Sequence, residues 1–178
     1  LEHGSQPFIS DDGKVVVVQN GEIFNHVEIA GDLKGSPWEC HTHCDTEVIL
    51  RLYEKEGIGG LNQLNGMFAI AIYDKAEKKL FLFRDRLGVK PLYYFFDEQN
   101  FAFGSEIKTL TQIGFIKRQL KVYQPSVYTF LYAGYIPEPN TIYQNIQRLP
   151  AGSFAELANN QLQITSYWKP EEKITSAV

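Results

Sequence analysis

Residues 67–105 hold four strand-sized apolar segments in quick succession: "MFAIAIYD" (67–74), "KLFLFRD" (79–85), "PLYYFFD" (91–97) and "NFAFGS" (100–105). The breaks "DKAEKK" and "DEQN" are short and polar and read as hairpin turns. In the first segment Phe68, Ile70 and Ile72 alternate with Ala69, Ala71 and Tyr73. Small residues therefore occupy most of one face. Either something packs closely against that face, or both faces of the strand are covered.

The segments on either side alternate between the two periodicities. "KVVVVQN" (14–20) reads as a buried strand ending in a polar turn. "NHVEIAGDLKG" (25–35) reads as a short helix stopped at Gly35. "SPWECHT" (36–42) is expected to be extended. "DTEVILRLYEKEG" (45–57) is the clearest helix, with Asp45 as N-cap, Val48, Ile49, Leu52 and Tyr53 on one face, and Gly57 at its end. "GGLNQLNG" gives a turn and a further helical turn. Downstream, "SEIKTL" (105–110) and "PSVYTFLYAGY" (125–135) read as helices, and "PAGSFAELANNQLQITSYW" (150–168) as a hairpin turning at "ANNQ". Antiparallel strands with helices inserted between groups of them imply an α+β domain with a layered sandwich. The 178 residues suit one such domain.

Several function classes are disfavoured. The net charge of −4 gives no basic surface for nucleic acid or for an anionic membrane. The longest apolar runs are strand-sized, too short to span a bilayer. Residues 1–15 are polar and carry no signal-peptide core. The 2 cysteines, Cys40 and Cys44, make no disulfide framework, so a reducing cytoplasm is expected. The chain opens on Leu1 and not on Met, so "LEHGSQPF" is expected to be a cut edge or tag remnant.

"CHTHCDTEV" (40–48) gathers Cys40, His41, His43 and Cys44 and looks like a metal site. Zinc requires a tetrahedron of ligands, usually drawn from two separated loops. A five-residue piece wraps one poorly. As a strand it sends the cysteines and histidines to opposite faces; as a helix it loses His43. No metal is expected here. A second reading makes Cys44 a nucleophile, because a helix N-terminus lowers a thiol pKa. The plainest reading is a segment leading into a helix cap.

Two further pieces carry more. "QNGEIFNH" (19–26) puts Asn-Gly-Glu at the end of a strand. The ordered set "QNGEIFNH", "DTEVIL", "LNGMFAIAIYD", "RDRLGVKPLYY" and "GSEIK" resembles the glutaminase domain of the class II glutamine amidotransferases, and most closely its asparagine synthetase branch. The resemblance runs from about residue 1 to about 168, and "GYIPEPNTIYQNIQRLPAGSF" (134–154) also looks like that branch. It implies a four-layer αββα sandwich of two antiparallel sheets, the N-terminal-nucleophile hydrolase type. It also implies a terminal cysteine that attacks the side-chain amide of glutamine, with its own α-amine as base. Ammonia then passes to a covalently linked, ATP-using synthetase domain. ATP and Mg2+ are expected in that domain and no cofactor in this one. A homodimer is a further expectation.

The chemistry explains the residue types at the resembling positions. A tetrahedral intermediate carries an oxyanion that needs donors aimed at it. Asn20 can offer its side-chain N–H and Gly21 its backbone N–H, and glycine lets the backbone approach the substrate. An α-ammonium group needs a carboxylate, which Asp45 fits, with Glu22 assisting. An Asp at a helix N-terminus keeps its charge because the dipole favours it. Read without the resemblance, Asn20-Gly21 is a hairpin turn and Asp45 an N-cap. "FRDRLGVKPLYY" is expected to brace the sheet through a buried ion-pair network of Arg84, Asp85, Arg86 and Lys90.

The chain departs from the family in two places. Residue 1 is Leu, and no His-Arg-Gly-Pro-like or Arg-Leu-Ser-like piece precedes it. No Ser-Gly-Gly-x-Asp-Ser loop of an ATP-pyrophosphatase domain occurs, and "KPEEKITSAV" reads as the start of a linker. The expectation is a domain lacking its first strands, inactive alone, and prone to self-association through exposed edges. Competing readings are a glutaminase domain with another acceptor, as in surface-sugar synthesis, and a non-catalytic interaction module.

Overall fold

The computed structural model describes residues 5–170. Leu1 and the tail 171–178, expected as a cut edge and as part of a linker, lie outside the described residues. The two hairpins expected within 67–105 form, but that segment is divided between two sheets. One sheet has six strands in the order β1 (Phe8–Ile9), β2 (Val15–Ile23), β3 (Gly66–Asp74), β4 (Lys79–Arg84), β8 (Ser153–Ala158) and β9 (Gln161–Ser166). The other has three, β6 (Phe101–Gly104), β5 (Tyr93–Phe96) and β7 (Ile146–Arg148). Every pairing is antiparallel. The helices are α1 (His26–Leu33), α2 (Asp45–Glu56), a 3-10 segment Gly57–Gln63, α3 (Ile107–Thr111), α4 (Gly114–Lys117) and α5 (Gln124–Ala133).

The pleat of β3 explains the layering. Phe68, Ile70 and Ile72 join Val15 and Val17 of β2 against Ile29 and Leu33 of α1 and Val48, Ile49 and Leu52 of α2. The alternate residues Ala69 and Ala71, with Leu82 and Ala155, meet Tyr94 of the second sheet and Leu92 and Leu149 flanking its strands β5 and β7. The opposite face of that sheet, Phe95 and Ile146, packs on Leu110 of α3 and Ile116 of α4. The order of layers is therefore helix, sheet, sheet, helix. Both faces of β3 are covered, and the two alanines leave room for the larger Tyr94 across the sheet interface. Each fully buried Leu, Ile or Phe contributes about 1.5–3 kcal/mol.

The final hairpin turns where expected, with Asn159 and Asn160 at φ 50 and 57, values that asparagine tolerates in a tight two-residue turn. Other expectations need correction. β2 continues through Asn20, Gly21 and Glu22 to Ile23, so these residues lie inside a paired strand and not in a turn. Pairing with β3 satisfies a backbone that polar side chains alone would suggest is a loop. Residues 36–44 form bends and turns and no strand. The short elements β1, β7 and α4 carry too little periodicity to be read from sequence.

The "RDRLGVKP" turn is not the expected ion-pair network. Asp85 is 1% exposed and accepts hydrogen bonds from the backbone N–H groups of Phe68 (3.2 Å), Leu87 (3.1 Å), Val89 (2.9 Å) and Lys90 (3.0 Å). Arg84, also buried, donates to the carbonyls of Lys90, Gly88 and Leu149 and pairs with Glu138. Arg86 donates to the carbonyls of Leu64 and Asn62. The charges are neutralised mainly by backbone dipoles, which a sequence does not display. Gly88, at φ 65, is required because a Cβ there would lie 2.9 Å from the Arg84 guanidinium. Replacing Asp85 with Ala strands several buried donors. It should lower the unfolding free energy by about 3–5 kcal/mol, measured by urea denaturation, with the loss distributed over both sheets because the turn joins β4 to β5.

Candidate functional site

The inward face of β2 runs Val15, Val17, Gln19 and Gly21, in register with Asp74, Ile72, Ile70 and Phe68 of β3. Val15 and Val17 are core. Gln19 stands where a third apolar side chain would continue the pattern. Its Nε2 donates to Asp45 Oδ2 at 2.6 Å. The backbone N–H of Ile23 donates to the same oxygen at 3.0 Å. Asp45 thus ties the end of β2 to the start of α2. It is the first residue of that helix and not its cap: Cys44 is the N-cap and makes no side-chain capping bond. The correction follows from what its carboxylate does, since that group is turned onto β2 and away from the helix N–H groups.

Asn20 faces the other way. It is in register with Ala69, on the side of the second sheet, and its Nδ2 donates to Ser105 Oγ at 2.9 Å. Gly21 has φ 147, and a Cβ there would lie 2.0 Å from the Met67 carbonyl oxygen. Gly66 opposes Ile23 in the same way, with its would-be Cβ 2.2 Å from Glu22 O. Glycine on both strands lets the two backbones close up at this end of the sheet. Glu22 is exposed. The structure therefore brings Asn20, Gly21, Glu22 and Asp45 to one end of β2. Asn20 and Asp45 lie on opposite sides of the strand, and no hydrogen bond joins them among the described residues.

The Cys40–Cys44 segment is organised by a residue sequence reading passed over. Glu47 is 3% exposed and accepts from the backbone N–H of His41 (2.8 Å), from that of Thr42 (2.7 Å) and from the Thr42 hydroxyl. Arg51 lies 3.6 Å away on the same helix. Burial raises the Glu47 pKa, but these hydrogen bonds and Arg51 outweigh it and hold the group below its ordinary range. Burial, reinforced by Glu47, pushes the Cys40 thiol up to about 11, which disfavours the thiolate a nucleophile needs. Both cysteines are free. Among the described residues no group of three or more His, Cys, Asp or Glu is placed to hold a metal ion. Cys40, His41 and His43 instead edge a cleft of about 430 Å³ against Val27 and Ala30 of α1. A larger open cleft of about 760 Å³ lies at the Asn159–Asn160 turn, away from Asp45.

Comparison with known proteins defines first the class of fold. Glutamine phosphoribosylpyrophosphate amidotransferase from Bacillus subtilis superposes with a TM-score of 0.62 at 17% identity, over 93% of this chain and 32% of that one. A structure described as the allosteric regulatory enzyme of purine biosynthesis gives 0.60 at 16% identity, over 92% of this chain and 30% of that one. At these identities the likeness concerns the fold alone, the two antiparallel sheets stacked between helix layers. The sequence model of the glutamine amidotransferase domain matches residues 1–168, and the chain belongs to that family. It is 39% identical over 177 residues to asparagine synthetase [glutamine-hydrolyzing] 2 of Bacillus subtilis, spanning 97% of this chain and 23% of that protein. It is 36% identical over 161 residues to putative asparagine synthetase [glutamine-hydrolyzing] 2 of Methanocaldococcus jannaschii, spanning 89% of this chain and 31% of that protein. The chain thus spans less than a third of the length of either relative. No helix among the described residues is long and apolar enough to cross a membrane.

Glu47 gives the site a measurable acid limit. A carboxylate whose pKa is lowered by folding contributes stability that is fully present above its ordinary value, 4.5. That contribution is lost as pH falls through the depressed folded value. Unfolding free energy measured against pH should therefore decline below about pH 4.5 in the wild type. Glu47→Gln should be less stable at pH 7 and show a shallower decline.

Proposed function

We propose that this chain is the glutamine-binding, ammonia-releasing part of an asparagine-synthetase-like amidotransferase. The observation that carries the reading is the Asp45 carboxylate. Its Oδ2 is fixed by Ile23 N–H and the Gln19 amide, and Oδ1 keeps only the weak Cys44 thiol contact at 3.8 Å. A fixed, half-buried carboxylate with one oxygen to spare suits an α-ammonium group. Beside it the Asn20-Gly21-Glu22 strand offers amide donors where no side chain obstructs approach at Gly21.

In this reading Asp45, assisted by Glu22, holds the α-ammonium group of glutamine. The Asn20 side chain and the Gly21 N–H stabilise the oxyanion formed when a thiolate attacks the side-chain amide. For Asn20 this requires the amide to leave Ser105 and turn toward the substrate. Neither Cys40, with its thiol held protonated, nor Cys44, inside the chain at a helix cap, has the α-amine that the family's nucleophile uses as base. Hydrolysis accordingly depends on a cysteine outside these residues, and the chain alone releases no glutamate.

The ammonia acceptor is a carboxylate such as that of aspartate, a reading supported by the names of the relatives. Its activation with ATP and Mg2+ falls to a linked synthetase domain, for which the greater length of the relatives leaves room. The surface of α5 is consistent with such a partner. Of its residues only Ser126 is buried, while Tyr128, Leu131 and Tyr132 are 69%, 75% and 95% exposed. A cluster of large apolar side chains in solvent is what a docking face looks like before it is covered.

The experiment is a calorimetric comparison of L-glutamine with glutaramic acid, the same molecule without its α-amino group. Wild-type chain should bind glutamine more tightly. Asp45→Asn should weaken glutamine by roughly tenfold or more and erase the preference. Equal binding of both ligands by the wild type would refute the reading.

A further inference from the structure

Gln19 is polar at a position where its own strand asks for an apolar residue. Val15 and Val17, on the same face, are 8% and 0% exposed within the core. The Gln19 Oε1 atom is buried with no partner among the described residues. A buried carbonyl oxygen left unpaired is destabilising, so stability alone favours valine or leucine at this position. What the glutamine provides is its other end: Nε2 donates to Asp45 Oδ2 at 2.6 Å, a short bond to a charged acceptor. The orientation of the amide is fixed by chemistry. Turned over, it would set Oε1 against a carboxylate, acceptor against acceptor. The Gln19 backbone is itself held, its N–H donating to Gln6 Oε1 at 2.6 Å.

We infer that Gln19 is a positioning residue for recognition of the substrate's α-ammonium group. By occupying Oδ2 together with Ile23 N–H, it fixes the carboxylate plane and reserves Oδ1 for the ligand. A carboxylate held by the Ile23 N–H alone can rotate about its final bond, and bringing it to one orientation on binding costs affinity. This inference rests on the glutamine reading of Asp45 and adds a residue that acts through it.

The test uses Gln19→Leu, which keeps the volume and removes the donor, in the 178-residue chain. Glutamine and glutaramic acid affinities are measured by calorimetry beside the thermal midpoint. The expected result is a roughly five- to tenfold loss for glutamine, a change of less than about twofold for glutaramic acid, and a midpoint that does not fall. In an Asp45→Asn background Gln19→Leu should change neither affinity. Equal losses for the two ligands, or an unchanged glutamine affinity, would overturn the positioning role while leaving the glutamine reading intact. A wild-type chain that binds no glutamine would overturn both. If Gln19→Leu does not fold, Gln19→Glu supplies the second variant: a carboxylate beside Asp45 cannot hold Oδ2 as a donor at pH 8, so glutamine binding should weaken with rising pH. A pH response no steeper than that of the wild type would contradict the inference.

Discussion

The pairing of β2 with β3 is the constraint from which the rest follows. It is continuous from Val15 opposite Asp74 to Ile23 opposite Gly66. Because strand side chains alternate, this one register decides which residues face the helices and which face the second sheet. A slip by one residue would send Phe68, Ile70 and Ile72 into the space that Ala69 and Ala71 leave for Tyr94. Glycine at 21 and at 66 lets the ladder close at its far end, where any Cβ would meet the opposing backbone. The same closure draws Asn20, Gly21 and Glu22 into ordered backbone at the end of β2, next to the Ile23 N–H that bonds Asp45.

Three carboxylates near this frame do different work, and their surroundings separate them. Asp85 is enclosed and accepts from backbone donors around one turn, so it fixes the link between the sheets. Glu47 is enclosed and accepts from the His41–Thr42 loop, so it shapes the approach to α2. Asp45 is only partly buried and has one oxygen committed and one available. Satisfied carboxylates are structural; the one with spare acceptor capacity is the binding candidate.

Much of this was legible in the amino-acid sequence, and the failures have physical causes. The Ala69–Ala71 face announced a close-packed neighbour, and the neighbour is a second sheet. The helix over 45–57 and the turn at Asn159–Asn160 carry strong local signals, and both form. Asn20-Gly21 misleads because the same dipeptide that makes a hairpin turn also permits two strands to close together, and only the partner strand decides between them. The charged run at 84–90 misleads because backbone carbonyls and N–H groups, invisible in a sequence, take the place of ionic partners. Gln19 reads as part of a polar turn ending the strand, whereas it lies within β2 on the face of Val15 and Val17. Its meaning required knowing that α2 begins opposite it. The cysteines and histidines at 40–44 looked like ligands by proximity, yet Glu47 folds the segment into a loop through the His41 and Thr42 backbone.

The most direct measurement is a crystal structure of the chain grown with L-glutamine. The α-ammonium group should lie within hydrogen-bond distance of Asp45 Oδ1. The side-chain carbonyl should lie near Gly21 N–H, with the Asn20 amide turned from Ser105 toward the ligand. Glutamine bound elsewhere, such as the cleft beside Cys40 and His43, or with its ammonium group turned from Asp45, would contradict this role for Asp45.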